Sequence, residues 1–342
     1  MKRQPRSNPR PHSGKTRRTV SIVGTGSYVP EKRLTNADLT KIVDTSEEWI
    51  TVRTGIKERR VAAKDENTSD MAGKAALNAL EQAKVKPEDV DLILLATATP
   101  DMLFPATACF VQKKIGANNA ACLDISAACA GFLFGIEIGQ QFITSHTHEI
   151  VLVIGAEKLT SITNWTDRNT CVLFGDGAGA AVLKHRGSDH GVISTHIGSD
   201  GQYTDILFMP GGGSRCPITR ENIDMNLATI HMLGKEVYKQ AVTAMVSASR
   251  KAIADAGLTA DDIACVIPHQ ANLRIIEAIA DRLKIPLERF YVNLDKYGNT
   301  SAAAVAIALD EANRSGRIKH GDFVLMVVFG GGLTWASTVI EW

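Results

Sequence analysis

Cys129 stands in LDISAACAGFLF (Leu123 to Phe134), where small and apolar residues run up to a single thiol and a helix-forming run, AGFLFGIEIGQQFI, follows at once. The pattern predicts a buried strand ending at Leu123 to Ile125, a tight turn over Ser126 to Ala128, and a helix whose first turn carries Cys129. Free backbone N–H groups and the positive end of a helix favour thiolate over thiol, which is how a cysteine becomes a nucleophile near neutral pH. His269 follows an apolar run in ACVIPHQANLRII and precedes a second helical pattern; Asn299 and Thr300 open a third in YGNTSAAAVAIALDEA. Each has an ordinary use: the cysteine as packing, the histidine as a satisfied core group, the asparagine as a helix cap. Together, at three chain ends of one kind, they form a thiol nucleophile with two polar partners.

The elements that must position them alternate from Thr19 onward between short strands and helices. SIVGTGSYVP begins like a dinucleotide fingerprint at Gly24 and Gly26, but the third glycine is missing and Tyr28, Val29 and Pro30 stop any helix, so a Rossmann site is rejected. Asn36 is placed to cap a short helix, Ser46 to Arg60 reads as a helix breaking at Gly55, and Thr68 or Ser69 caps a longer one to Ala83. VDLILLATAT and EIVLVIGAE are continuous apolar strands of the kind buried on both faces, with a helix from Ala106 to Ile115 and a strand from Ala120 to Ile125 between them. Lys158 to Leu173 is irregular. FGDGAGAAVLKH is a glycine turn entering a strand, so no helix N-terminus is available there to hold phosphate.

The second half repeats the first. Leu77 to Thr99 (LNALEQAKVKPEDVDLILLATAT) aligns with Arg250 to Asn272 (RKAIADAGLTADDIACVIPHQAN) as helix, turn and buried strand. EIVLVIGAE finds a partner in DFVLMVVFG, FGDGAGAAVL in FGGGLTWASTVI, and LDISAACAGFLFGIEIG in LDKYGNTSAAAVAIALD, which sets Asn299 or its neighbours where Cys129 sits. Two βαβα halves related by a pseudo-twofold axis follow, residues 19–187 and 188–342, preceded by a basic, proline-rich tail over 1–18 expected to be disordered. Ligands of open α/β sheets bind beyond the carboxyl ends of strands, where Cys129, His269 and Asn299 all fall.

The chain has 342 residues, 44% of them hydrophobic and 22% charged, enough for a large core. A formal charge of +1 gives no global reason to bind nucleic acid, and no apolar run reaches the length of a membrane helix. Six scattered cysteines without a C-x-x-C pattern, and no clustered metal ligands, point to a reducing, cytoplasmic setting and to no metal. The tail lacks the apolar stretch of a secretory signal; a transit peptide stays open beside a solvated tail. His146 and His148, beside threonines in a polar turn, read as solvated surface.

DISAACAGF, VIPHQANLRII, YGNTSAAAVAIALDEA and FGGGLTW resemble the beta-ketoacyl-acyl-carrier-protein synthase III family, thiolase-fold condensing enzymes of bacterial and plastid fatty acid synthesis, over nearly the whole chain from Thr19 to Trp342. HQAN with GNTSAA after an AACAG nucleophile separates this branch from thiolases, whose second catalytic residue is cysteine. The resemblance implies a layered α-β-α-β-α fold and a homodimer that uses no cofactor beyond coenzyme A thioester as substrate. Cys129 takes an acyl group from acyl-CoA, its oxyanion held by the N–H groups of Cys129 and Gly331. His269 and Asn299 then bind the enolate left when malonyl-acyl-carrier protein loses CO2. Trp49, Arg53, Thr54 and Arg168 match residues that contact coenzyme A, with Arg168 on the far face of the base; Asn272 matches one near the pantetheine arm. Lys239 and Arg274 match part of the patch that meets the acidic carrier protein, and Asp281 departs from it, standing where relatives tend to carry a base. Phe104, in LFPATA, matches the residue that closes the partner's acyl pocket, implying a short pocket and an acetyl or other small primer.

Two further readings remain open on the residues alone. A condensing enzyme of secondary metabolism, making a quinolone or polyketide starter, would share the triad. The order Cys, His, Asn also mimics a papain-like cysteine hydrolase, although the C-G-S-C-W signature is absent and the twofold repeat speaks against it.

Overall fold

The structure is a computed structural model that describes residues 19–187 and 190–342. The expected tail over 1–18, and Ser188 and Asp189 at the expected boundary between halves, lie outside the described residues.

Two sheets share one order. The first runs Val20–Tyr28, Asp176–His185, Ile150–Lys158, Leu92–Ala96, Ala121–Ile125, its first two pairings antiparallel and its last two parallel. The second runs Gly191–Ser199, Thr334–Glu341, Phe323–Gly330, Ile263–Pro268, again antiparallel, antiparallel, parallel. Where the first sheet has a fifth strand, the second has a single parallel bridge between Val266 and Phe290.

Helices Gly131–Thr144 and Ala302–Arg314 lie between the sheets, in a core where Phe132, Ile136, Val305 and Leu309 meet Val153, Leu183, Met326 and Val328. Helices Thr68–Ala83 and Thr107–Ile115 cover the outer face of the first sheet; Gly234–Asp255 and Leu273–Leu283 cover that of the second. Five layers result, helix, sheet, helix, sheet, helix, because continuous apolar strands such as LILLA and FVLMVVFG must be covered on both faces. The middle layer is tight: a Cβ at Gly131 would stand 2.7 Å from Ala96 Cβ, so glycine lets the Gly131–Thr144 helix settle on the sheet.

Several local expectations are corrected. The helix expected over Ser46 to Arg60 stops at Thr54 with Gly55 in the left-handed region (φ 81°), and Glu58–Arg60 becomes a strand paired with Arg33–Thr35. Thr35 and Asn67, rather than Asn36 and Thr68 or Ser69, occupy the caps. Asn36 is instead buried, and its Oδ1 accepts from Arg59. Ala121–Ile125 is an edge strand with Leu123 37% exposed, not a buried one. His148 is half-buried, edge-on to Phe142.

Candidate active site

Cys129 does not sit in the first turn of its helix. It occupies a 3-10 turn, Ala128–Ala130, ahead of the helix that begins at Gly131. The residue before it, Ala128, has φ 46°, and the twin position in the other half is Ser301, with φ 48° directly before Ala302. These are non-glycine residues in a sparsely populated region, and the same bend recurs at both strand-to-helix turns.

Burial decides the state of the thiol. Cys129 is 8% exposed, and desolvation pushes its pKa up to about 12, with the Ser301 hydroxyl pulling down and the charge of Glu157 pushing up. Removal from water thus acts against the thiolate that the helix end is expected to favour. Gly330 ends its strand against the same turn, where a Cβ would meet Cys129 N at 2.6 Å. Thr334 Oγ1 donates to Ala127 O at 2.9 Å, tying the Gly331–Leu333 turn to the loop that carries Cys129.

His269 follows Pro268, its N–H bonded to Val327 O at 2.8 Å, and burial holds its imidazole down at about 4, so it is neutral. Asn299 is stitched to the first half: its N–H bonds Leu173 O (2.8 Å) and its carbonyl accepts from Gly175 N–H (3.1 Å). Its Oδ1 accepts the Ser301 N–H at 2.9 Å. Behind Leu173 stands Arg59, fully buried, donating to Leu34 O, Asn36 Oδ1 and Val172 O at 3.1, 2.9 and 2.7 Å.

A cavity of about 1170 Å³ brings Cys129, His269, Asn299 and Gly331 together, and Trp49, Arg53, Thr54, Asn272 and Arg274 line the same space. Arg53 lies over the Trp49 ring, 4.6 Å from its centroid, and Arg168 lies 5.1 Å from it while bonding Asp44 O. The Thr54 hydroxyl is engaged by Ile50 O and Ile56 N–H, and Asn272 Nδ2 donates to Arg53 O. Arg168, Lys239 and Phe104 are not part of the cavity wall; Lys235, which the sequence reading missed, is. Phe104 is 84% exposed, with Leu103 and Met102 exposed beside it. Asp281 is exposed and pairs with Lys284. Ser301 and the buried Glu157 were also missed; the signal for Glu157 was an acidic residue closing an otherwise apolar strand.

Sheets of one order meeting at twin bends belong to the thiolase fold, and a cysteine that shares its cavity with histidine and asparagine, in place of a second cysteine, places the molecule among the condensing acyltransferases. Comparison with known proteins specifies the branch. Residues 123–201 match the model of the 3-oxoacyl-[acyl-carrier-protein] synthase III family, and residues 253–342 match its C-terminal counterpart. A beta-ketoacyl-[acyl-carrier-protein] synthase III of Caldanaerobacter subterraneus is 59% identical over 94% of this chain and 98% of its own length. The crystal structure of 3-oxoacyl-[acyl-carrier-protein] synthase III from Aquifex aeolicus superposes with TM-score 0.89 at 47% identity, covering 94% of this chain and 100% of that one. A priming beta-ketosynthase of a polyketide pathway superposes with TM-score 0.89 at 36% identity, covering 97% and 98%.

The chain belongs to the beta-ketoacyl-[acyl-carrier-protein] synthase III family, and it is an initiating condensing enzyme of fatty acid synthesis. No helix among the described residues is long and apolar enough to cross a membrane.

Proposed function

We propose that Cys129 accepts the acyl group of an acyl-CoA primer, acetyl-CoA by preference, and that the acyl enzyme condenses with malonyl-acyl-carrier protein as CO2 leaves. One observation carries this reading: thiol, imidazole, carboxamide and Gly331 face one cavity. The N–H groups of Cys129 and Gly331 hold the oxyanion of the first adduct. Neutral His269 and the Asn299 amide donate to the thioester oxygen as the malonyl group becomes an enolate, and loss of CO2 drives carbon–carbon bond formation. That chemistry asks for no metal or redox group.

Coenzyme A enters past Trp49, Arg53 and Asn272, with Thr54 and Arg168 beside them, and the carrier protein meets Lys239 and Arg274 at the rim. Phe104 reaches the acyl pocket of a second copy in a homodimer, the exposed loop around it being the contact. The chain works in the cytoplasm, and its halves divide at residues 187 and 188. Greater identity to the Caldanaerobacter relative than to the polyketide-priming one supports this over the starter-unit reading.

Incubation with radiolabelled acetyl-CoA should leave one acetyl group per chain, on Cys129 by peptide mass. Label that persists in Cys129→Ser would refute the assignment. A panel of acyl-CoA lengths with malonyl-carrier protein, products read by mass, tests the primer.

A further inference from the structure

Glu311 lies on the Ala302–Arg314 helix, the one that follows Asn299, and its carboxylate holds both ends of a single helical turn, Leu294–Tyr297. At the start of that turn Asn293 Nδ2 donates to Oε2 over 2.7 Å; at its end the Tyr297 hydroxyl donates to Oε1 over 2.5 Å. Asn293 also reaches the histidine loop. Its backbone N–H donates to Gln270 Oε1 at 3.0 Å, and Gln270 Nε2 donates to Pro268 O at 2.8 Å and to Tyr291 O at 3.0 Å. The side chain of the buried Gln270 thus spans His269, from the residue after it to the carbonyl before it. On the other side, Tyr297 runs into Gly298, whose φ of 65° and N–H bond to Leu294 O at 2.9 Å turn the chain directly into Asn299. The helix that carries the carboxylate is itself fixed, because Asp310 accepts from the Thr25 and Ser27 hydroxyls at 2.8 and 2.7 Å.

We infer that Glu311 is a positioning residue for the decarboxylation step, setting the spacing of His269 and Asn299 through Asn293 and Gln270 on one side and Tyr297 on the other. This deepens the proposed role of that pair as joint donors to the enolate and rests on it.

The two donors stand on separate loops, and one enolate oxygen must meet both at once. A helical turn of four residues makes too few bonds of its own to hold a geometry, so what grips its ends decides where Asn299 emerges. A carboxylate suits the task, since each oxygen takes a donor from a different end and charge-assisted bonds are short and strong. Glu311, Asn293, Gln270 and Tyr297 form no part of the cavity wall, so they act on the loops and not on substrate. Cys129 stands outside this network: its loop is tied to Thr334 and packed against Gly330. Acylation and decarboxylation are therefore separable.

The test uses the full-length enzyme and follows release of labelled CO2 from malonyl-carrier protein. Glu311→Ala should lower kcat for decarboxylation at least about 30-fold with KM within about 3-fold, while single-turnover acetylation of Cys129 stays within about 3-fold. Glu311→Gln keeps the shape, accepts from Asn293 and can close the other end by donating to the tyrosine oxygen, so it should recover all but about 5-fold. Tyr297→Phe removes only the hydroxyl; it should cost about 10-fold alone and less than about 2-fold on top of Glu311→Ala, because it acts through the carboxylate. Acetylation that falls in step with decarboxylation, no rescue by glutamine, or a full added loss from Tyr297→Phe in the alanine background would overturn the proposal. If Glu311→Ala does not fold, Tyr297→Phe decides alone, and either unchanged decarboxylation or a loss shared with acetylation counts against it. Decarboxylation at the parent rate in His269→Ala and Asn299→Ala would sink the assignment of the pair instead, a separate failure.

Discussion

The backbone N–H of Ser301 donates to Asn299 Oδ1 over 2.9 Å, and that bond fixes which end of the carboxamide is committed and leaves the NH2 for the cavity. Asn299→Asp can keep the bond to Ser301 but offers an acceptor where the proposed enolate role needs a donor. Condensation with malonyl-carrier protein should fall by about 100-fold or more. Acetylation of Cys129, measured with radiolabelled acetyl-CoA, should remain.

His269 is neutral because burial opposes charging it, which carries its value from 6.5 down to about 4. Decarboxylation of malonyl thioester should show no His269 limb from pH 8 to about 5; an acid limb near 6.5 would contradict the buried, neutral donor. The same shift makes stability pH-dependent. The folded value lies below the unfolded one, so the unfolded chain binds the extra proton, and the contribution, complete above about 6.5, is lost as pH falls toward 4. Urea unfolding of His269→Ala should therefore be less acid-sensitive than the parent across that window.

Gly330 has no room for a side chain, since a Cβ would lie 2.6 Å from Cys129 N and 3.2 Å from Ala130 N. Both neighbours are backbone, so Gly330→Ala must move the turn that presents the thiol. A Tm lower by several degrees and acetyl transfer down by about 100-fold are expected, checked by calorimetry and single-turnover labelling.

Trp49 carries two guanidinium groups, Arg53 and Arg168, within 4.6 and 5.1 Å of its ring centroid. Trp49→Ala removes the platform that orients both. On the proposed coenzyme A role, KM for acetyl-CoA should rise about 10-fold with kcat within about 3-fold. A drop in kcat at constant KM would reassign the tryptophan to structure.

Arg59 serves three acceptors from 0% exposure and holds Val172, the neighbour of the residue to which Asn299 is stitched. Lysine has one charged nitrogen and cannot serve all three. Arg59→Lys should cost about 2–4 kcal/mol in urea unfolding and lower condensation more than acetylation, because Asn299 shifts while Cys129 does not.

Much of the fold was legible because apolar strands and amphipathic helices leave periodic marks, and because the second half repeats the marks of the first. Leu77–Thr99 and Arg250–Asn272 do become helix, 3-10 turn and strand in both sheets. The helix running past Gly55 was misread because Glu58, Arg59 and Arg60 are polar enough for either element, and their pairing with Arg33–Thr35 is a distant contact. The edge position of Ala121–Ile125 was hidden for the same reason: strand order is not written in any one strand.

By itself the sequence determined the residue types, the twofold repeat and the chain ends at which Cys129, His269 and Asn299 would stand, since these follow from local pattern and spacing. Tertiary structure alone decided the burial of the thiol and the imidazole, the stitching of Asn299 to Leu173 and Gly175, the end of Asn299 that is free, and the burial of Glu157 at the end of its strand. Each of those depends on how much water is excluded and which donors converge from residues far apart in the chain, and desolvation has no local signature in sequence.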